Sequence, residues 1–224
     1  MAQSAESGKN LRICLLIPVS DSIPGMFLPV FSGIEAEIVK RGGNYLFLTT
    51  DMVPLDKARE FLLRTAVTVV PEPNYILWLD ADMFVKQGQV SALLDYMESN
   101  GDVAAVSALY FKKVSFDPVC FRHIIENGIE EYRSFYPPGV EPTEVDAAGL
   151  GCMLMRTDFI KRHLGGYIER NSKLFWFDEY PEDINFCSLV QKEGGRIVVL
   201  PNVVVPHHGG YVSESHYKKL KVNQ

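Results

Sequence analysis

The run Tyr75-Ile76-Leu77-Trp78-Leu79 contains no charged residue and gives way at once to Asp80-Ala81-Asp82. Strand-forming residues bury the run and leave the acidic pair where the backbone quits the sheet. In open α/β sheets that edge forms the ligand crevice, so carboxylates placed there are positioned to hold a cation or a sugar hydroxyl. Burying two like charges for packing alone would be costly. The competing reading is a surface turn that uses Asp for its backbone hydrogen bonds.

Elements alternate around this run. Leu11 to Ile17 reads as a strand ended by Pro18, and Pro29 to Arg41 as a helix closed by Gly42-Gly43. Tyr45 to Leu48, Tyr75 to Leu79 and Val103 to Ser107 read as further strands, with helices over Leu55 to Val69 and Gln89 to Met97 between them. Such alternation indicates an α/β fold with a mostly parallel sheet. Beyond it lie a Pro- and aromatic-rich excursion from Tyr110 to Pro142 and the small-residue segment Ala147 to Cys152. There Gly149 and Gly151 either admit a ligand close to the backbone or make a tight bend. Thr157 reads as the cap of a short helix over Asp158 to His163. Glu182-Asp183 opens a helix to Lys192, and the strand-like Arg196 to Leu200 and Val203 to Val205 lead into Pro206-His207-His208-Gly209-Gly210.

The 224 residues suffice for one domain, residues 11–224, behind a polar tail, residues 1–10, read as disordered. A net charge of −6 without a long basic cluster argues against nucleic acid as a partner. No segment reads as a signal peptide or membrane span, so a soluble, cytoplasmic protein is expected. Cys14, Cys120, Cys152 and Cys187 are widely spaced and form no C-x-x-C pair, which favours buried thiols over zinc or disulfides.

The order of features is informative: an early strand ending in Pro-Val, a buried strand ending in Asp-x-Asp, a Gly-rich segment, Glu-Asp at a helix start and a late His-x-Gly. From about residue 11 to 210 this resembles the glycosyltransferases of the GT-A fold, particularly the compact family-2-like enzymes that use nucleotide sugars. The resemblance implies a nucleotide-sugar-binding half (residues 11–109), an acceptor-binding half (residues 110–224), and transfer of a sugar from a UDP- or GDP-sugar to a hydroxyl of a glycan, glycoprotein or lipid-linked acceptor. It implies that Asp82 ligates a divalent metal, that Asp80 contacts the donor ribose or the metal's water and so shares the metal site, and that His207 or its neighbour His208 completes the coordination. Ala81 joins the two acids against the nucleotide. Pro18, Val19 and Asp21 match the loop that holds base and ribose, and Gly149 and Gly151 the segment that approaches the donor. Arg59 falls where the family often has an Arg-Asn pair near the diphosphate, although Glu60 replaces the Asn here. Asp183, with Glu182, matches the element that supplies the catalytic base in inverting members; acids at a helix start also cap it. In a retaining enzyme of the same fold Asp183 would position substrate instead.

Carboxylate and imidazole ligands suit Mn²⁺ somewhat better than Mg²⁺, and a metal they hold would neutralise the departing diphosphate. Trp176 reads as an acceptor-stacking or a core aromatic. Two other classes remain. A haloacid-dehalogenase-like phosphatase also begins from Asp-x-Asp, but Phe84 stands where that motif has Thr or Val, and the strand is the third here. A non-catalytic sugar-binding or scaffold protein would tolerate loss of Asp183.

Overall fold

A computed structural model describes residues 11–19, 23–51 and 54–207. The tail, residues 1–10, lies outside the described residues, as do Asp21 and His208. Among the described residues the strands are β1 Arg12–Pro18, β2 Asn44–Thr50, β3 Tyr75–Leu79, β4 Val103–Leu109, β5 Cys120–Glu126, β6 Ile129–Ser134, β7 Thr143–Val145, β8 Ala147–Ala148, β9 Cys152–Arg156 and β10 Arg196–Val204. The long helices are α1 Phe27–Lys40, α2 Leu55–Ala66, α3 Gln89–Ser99 and α6 Glu182–Lys192. Between β9 and α6 the short α4 Thr157–Phe159 runs through a π-helical turn, Ile160–Leu164, into α5 Gly165–Glu169.

Seven strands form the main sheet in the order β2-β1-β3-β9-β4-β10-β7, and β6-β5-β8 form a smaller one. In the main sheet β2, β1 and β3 run parallel, as do β4 and β10, while β9 and β7 are antiparallel insertions. Alternate residues of each central strand pack into different layers. Leu77 and Leu79 meet α1 and α3 through Ile34, Ile38, Leu93 and Leu94. Ile76 and Trp78 meet α2 and α6 through Leu62, Leu63, Phe186 and Cys187. Helices on both faces explain why β3 reads as an unbroken apolar run, every residue of which is buried.

Several expectations change. Cys152–Arg156 is an antiparallel strand between β3 and β4, a placement that no local pattern of the chain marks. The excursion after Tyr110 holds the hairpin β5–β6, turned by Asn127 (φ 55°) and Gly128 (φ 77°) in the left-handed region that a tight primed turn requires. Thr157 does not cap a helix: Arg156 holds the cap position, and the Thr157 hydroxyl is buried without a hydrogen-bond partner among the described residues. The last two strand segments are one strand, β10, with a register shift between Leu200 and Val204 where Pro201 lacks a ladder N–H. All four cysteines are free and buried.

Candidate active site

The site sits at the C-terminal ends of the parallel strands. Beyond β3 the Asp80 N–H donates to the Gly151 carbonyl at 3.0 Å, and the Asp80 carbonyl accepts the Met83 N–H at 3.0 Å. This pins a turn that presents both acid side chains. The bulged β10 continues past the sheet beside it. The Val205 N–H donates to the Leu109 carbonyl, the Phe84 N–H donates to the Pro206 carbonyl, and His207 bridges to Met83. The histidine is thereby delivered to the acidic turn.

His207 Nε2 stands 3.3 Å from Asp82 Oδ1. His207 Nδ1 lies 3.1 Å from the Phe111 carbonyl, an obligate acceptor, so Nδ1 carries the proton and donates. In the neutral ring Nε2 therefore turns a lone pair toward a carboxylate oxygen that is buried and has no hydrogen-bond partner among the described residues. Two electron-rich atoms facing each other at this range call for a cation between them or a proton on the ring. Lys113 contacts the other carboxylate oxygen, Asp82 Oδ2. Burial pushes the Asp82 carboxyl up, but His207 and Lys113 outweigh it and hold it down at about 2.

Asp80 plays a different part. Arg59 of α2 donates from Nη2 to Asp80 Oδ1 at 3.2 Å and from Nε to Glu182 Oε1 at 3.0 Å. Its guanidinium carbon lies 5.5 Å from the Trp78 ring centroid. Burial works against the charge, but Asp80, Glu182 and Asp183 together raise the Arg59 pKa. Arg59 and Glu182 are buried, so this pair is a strut between α2, β3 and α6. Arg59 Nε and Nη2 are engaged by Glu182 and Asp80, while Arg59 Nη1 is buried without a hydrogen-bond partner among the described residues.

Asp183, the next residue, is pushed up to about 6 by burial and by Glu182 and Asp80, against the pull of Arg59 and of the Ile184 N–H that donates to Oδ1. Asp178 accepts hydrogen bonds from Trp176 Nε1, Asn185 Nδ2 and the Tyr180 N–H, fixing the aromatic loop next to Asp183. Glu60 and Arg64 secure the preceding stretch. Glu60 accepts the Leu174 and Phe175 N–H groups, and Arg64 donates to the Ile168 and Ser172 carbonyls. The Glu that departs from the family pattern thus has a structural task.

Gly149 and Gly151 are explained by packing against protein. A Cβ on Gly149 would overlap Tyr110 and Val119, and one on Gly151 would overlap Met83. The Gly151 N–H donates to the Tyr110 hydroxyl at 3.0 Å, and burial, with Asp80 and Asp183 nearby, raises the Tyr110 pKa well above its usual value. Pro18 and Val19 lie at the same edge of the sheet, where the Val19 N–H donates to the Thr50 carbonyl. Sequence reasoning missed Lys113 and Tyr110. Both follow β4, and the signal that could have found them was the Tyr-Phe-Lys-Lys stretch directly after an apolar strand.

Among the described residues no group of three or more His, Cys, Asp or Glu side chains could hold a metal ion. No described helix is long and apolar enough to cross a membrane.

A mostly parallel sheet between helices, with antiparallel insertions and an acidic turn at its C-terminal edge, defines a GT-A-like α/β fold. No family model matches the chain, and no curated protein does. Solved structures do. A197 from STIV aligns at a TM-score of 0.57 with 17% identity over 88% of this chain and 85% of its own. The catalytic domain of Drosophila β1,4-galactosyltransferase 7 in complex with xylobiose aligns at 0.52 with 14% identity over 93% and 74%. A mutant of the Drosophila enzyme, in complex with manganese, UDP-Gal and xylobiose, aligns at 0.50 with the same identity and coverage.

Proposed function

We propose that this chain is a glycosyltransferase that moves a sugar from a nucleoside diphosphate sugar to a hydroxyl acceptor with inversion. The reading rests on one juxtaposition, Asp82 Oδ1 standing 3.3 Å from His207 Nε2 at the strand end beside Asp80, with a second acid raised to about 6 on the neighbouring helix. The Drosophila neighbour, solved with manganese and UDP-Gal, supports this class of donor.

Asp82 and His207 are the residues that would hold a divalent cation, manganese rather than magnesium given the imidazole, with the remaining positions left to diphosphate and water. Such an ion supplies Lewis-acid neutralisation of the diphosphate. Lys113, contacting Asp82 at the half-exposed rim, offers a second positive charge to the phosphate oxygens. Asp183 accepts the proton of the acceptor hydroxyl as that oxygen attacks the anomeric carbon and the bond to the diphosphate breaks on the opposite face. A carboxyl near 6 suits this task, being ionised at neutral pH yet more basic than a free carboxylate. Asp80, Glu182 and Arg59 keep the two acids in register.

Lys113 supports a second reading in which the lysine replaces the metal as counter-charge to the diphosphate. A panel of nucleotide sugars with and without Mn²⁺, scored by release of free nucleotide, separates the two. Turnover of one donor that requires Mn²⁺ and vanishes in Asp82→Ala establishes the metal-dependent enzyme. Turnover that survives chelation and vanishes in Lys113→Ala establishes the metal-free one. Release of nucleotide from no donor would sink both.

A further inference from the structure

Strand β2 closes one side of the main sheet, with no further strand beside it among the described residues, and its composition is unusual for an edge. Asn44-Tyr45-Leu46-Phe47-Leu48-Thr49-Thr50 carries no charge and no proline, and the strand shows no bulge against β1, which are the usual devices that keep edges from pairing. Its side chains stand open to solvent on both faces, with Tyr45, Leu46 and Phe47 36%, 41% and 49% exposed. On one face Phe31 of α1 meets Tyr45 and Phe47 edge-on, at centroid distances of 6.2 and 5.3 Å. Leu28 and Val39, also exposed, extend this stripe along α1, spaced with Glu35, which accepts a hydrogen bond from the Tyr45 hydroxyl.

The backbone has a definite polarity. The Asn44 N–H donates to the Leu11 carbonyl and the Thr50 carbonyl accepts the Val19 N–H, so the even-numbered residues of β2 point their peptide groups at β1. Tyr45, Phe47 and Thr49 therefore turn their N–H and C=O groups to the open edge. An antiparallel copy of the same strand, centred on Phe47, uses all of them. Phe47 pairs with its own counterpart, Tyr45 pairs with Thr49 in both directions, and Leu46 lies beside Leu48 on the other face. Phe47 meets Phe47 and Leu46 meets Leu48, Tyr45 lies opposite Thr49, and no like charges are opposed.

We propose that β2 is the interface of a symmetric homodimer, in which two copies of this chain join edge to edge into one continuous sheet with α1 of each copy flanking the seam. The partner is a second copy because the strand is complementary to itself in the register that satisfies its free peptide groups. The antiparallel joint sends the C-terminal edges of the two sheets in opposite directions. The two acidic turns then open on opposite sides of the assembly.

The test is the mass of the full chain by sedimentation across a micromolar concentration series, together with cross-linking. Wild type should sediment as a dimer, and Phe47→Lys, which opposes two ammonium groups on the axis, should be a folded monomer with an unchanged circular dichroism spectrum. Thr49→Pro removes an N–H that only the dimer uses and should weaken association in the same way. In the proposed register the two Phe47 Cα atoms are about 5.5 Å apart, within disulfide range, so oxidised Phe47→Cys should run as a covalent dimer while Tyr45→Cys and Thr49→Cys should not. The native cysteines, all buried, leave little background. A wild-type monomer throughout the series, a dimer that survives Phe47→Lys, or cross-linking through position 45 or 49 instead of 47 would each overturn the proposal.

Discussion

The site is built from two acid pairs that look alike in sequence and are treated in opposite ways. Asp80-Ala81-Asp82 ends β3, and Glu182-Asp183 begins α6. In each pair one carboxylate is bound by the buried Arg59, Asp80 in the first and Glu182 in the second. The other is left to face the site. The freed members then diverge: His207 and Lys113 hold Asp82 down at about 2, whereas burial and fellow acids push Asp183 up to about 6. One shared arginine engages one carboxylate of each motif and leaves the other to be set by its own neighbours.

The largest effect should come from removing the acceptor. Asp183→Asn keeps size and hydrogen-bonding shape but cannot take the acceptor proton, and turnover should fall by roughly 10²–10⁴-fold with donor affinity nearly unchanged. Single-turnover kinetics and nucleotide titration check this, and parallel loss of affinity and rate would mean that Asp183 shapes the site rather than drives it. Next is the strut. Arg59→Met leaves Asp80 and Glu182 without their counter-charge, one of them fully buried, and should cost about 3–5 kcal/mol in urea unfolding. Arg59→Lys should recover little, because one ammonium cannot span the two carboxylates that the guanidinium joins. A mild Arg59→Met phenotype would dissolve the comparison. Third, His207→Ala should weaken Mn²⁺ binding by about 10–100-fold in a calorimetric titration. Unchanged Mn²⁺ affinity would assign the cation to other groups.

How much of this was legible follows from the kind of signal each part carries. The β1 to β4 half reads almost residue by residue, because strands buried on both faces and amphipathic helices leave strong periodic marks; β3 is bounded as Tyr75 to Leu79 in sequence and structure alike. The acidic turn and the Glu-Asp helix start were visible for the same reason. The partition within each acid pair was not, since it depends on Arg59, 21 residues from Asp80 and 123 from Glu182. Lys113 was missed because β4 approaches the acidic turn through β9, an antiparallel strand whose placement is a property of the sheet. The hairpin after Tyr110 is a different failure. Asn127-Gly128 is a strong local turn signal, and it was hidden by the aromatic and proline-rich composition around it.

The smallest effect separates chemistry from stability at the same residue. A carboxyl that holds its proton to about 6 when folded, but ionises near 3.9 when unfolded, binds more protons in the native state between those values. Its contribution to stability is therefore complete below the unfolded pKa and is lost as pH rises through about 6. Asn at this position does not titrate. Relative to wild type, Asp183→Asn should then gain on the order of 2 kcal/mol between pH 4 and pH 7.5, with the difference small at the acid end. Comparing the two proteins at each pH cancels every other titrating group, so thermal or urea unfolding can read the shift directly. The opposite member gives the control: Asp82→Asn replaces a carboxylate held down by Lys113 and His207 and should lose stability above pH 4, a loss that fades as pH falls toward 2. If both substitutions moved stability in the same direction at neutral pH, the two acids would occupy equivalent environments and the division of labour between them would fail.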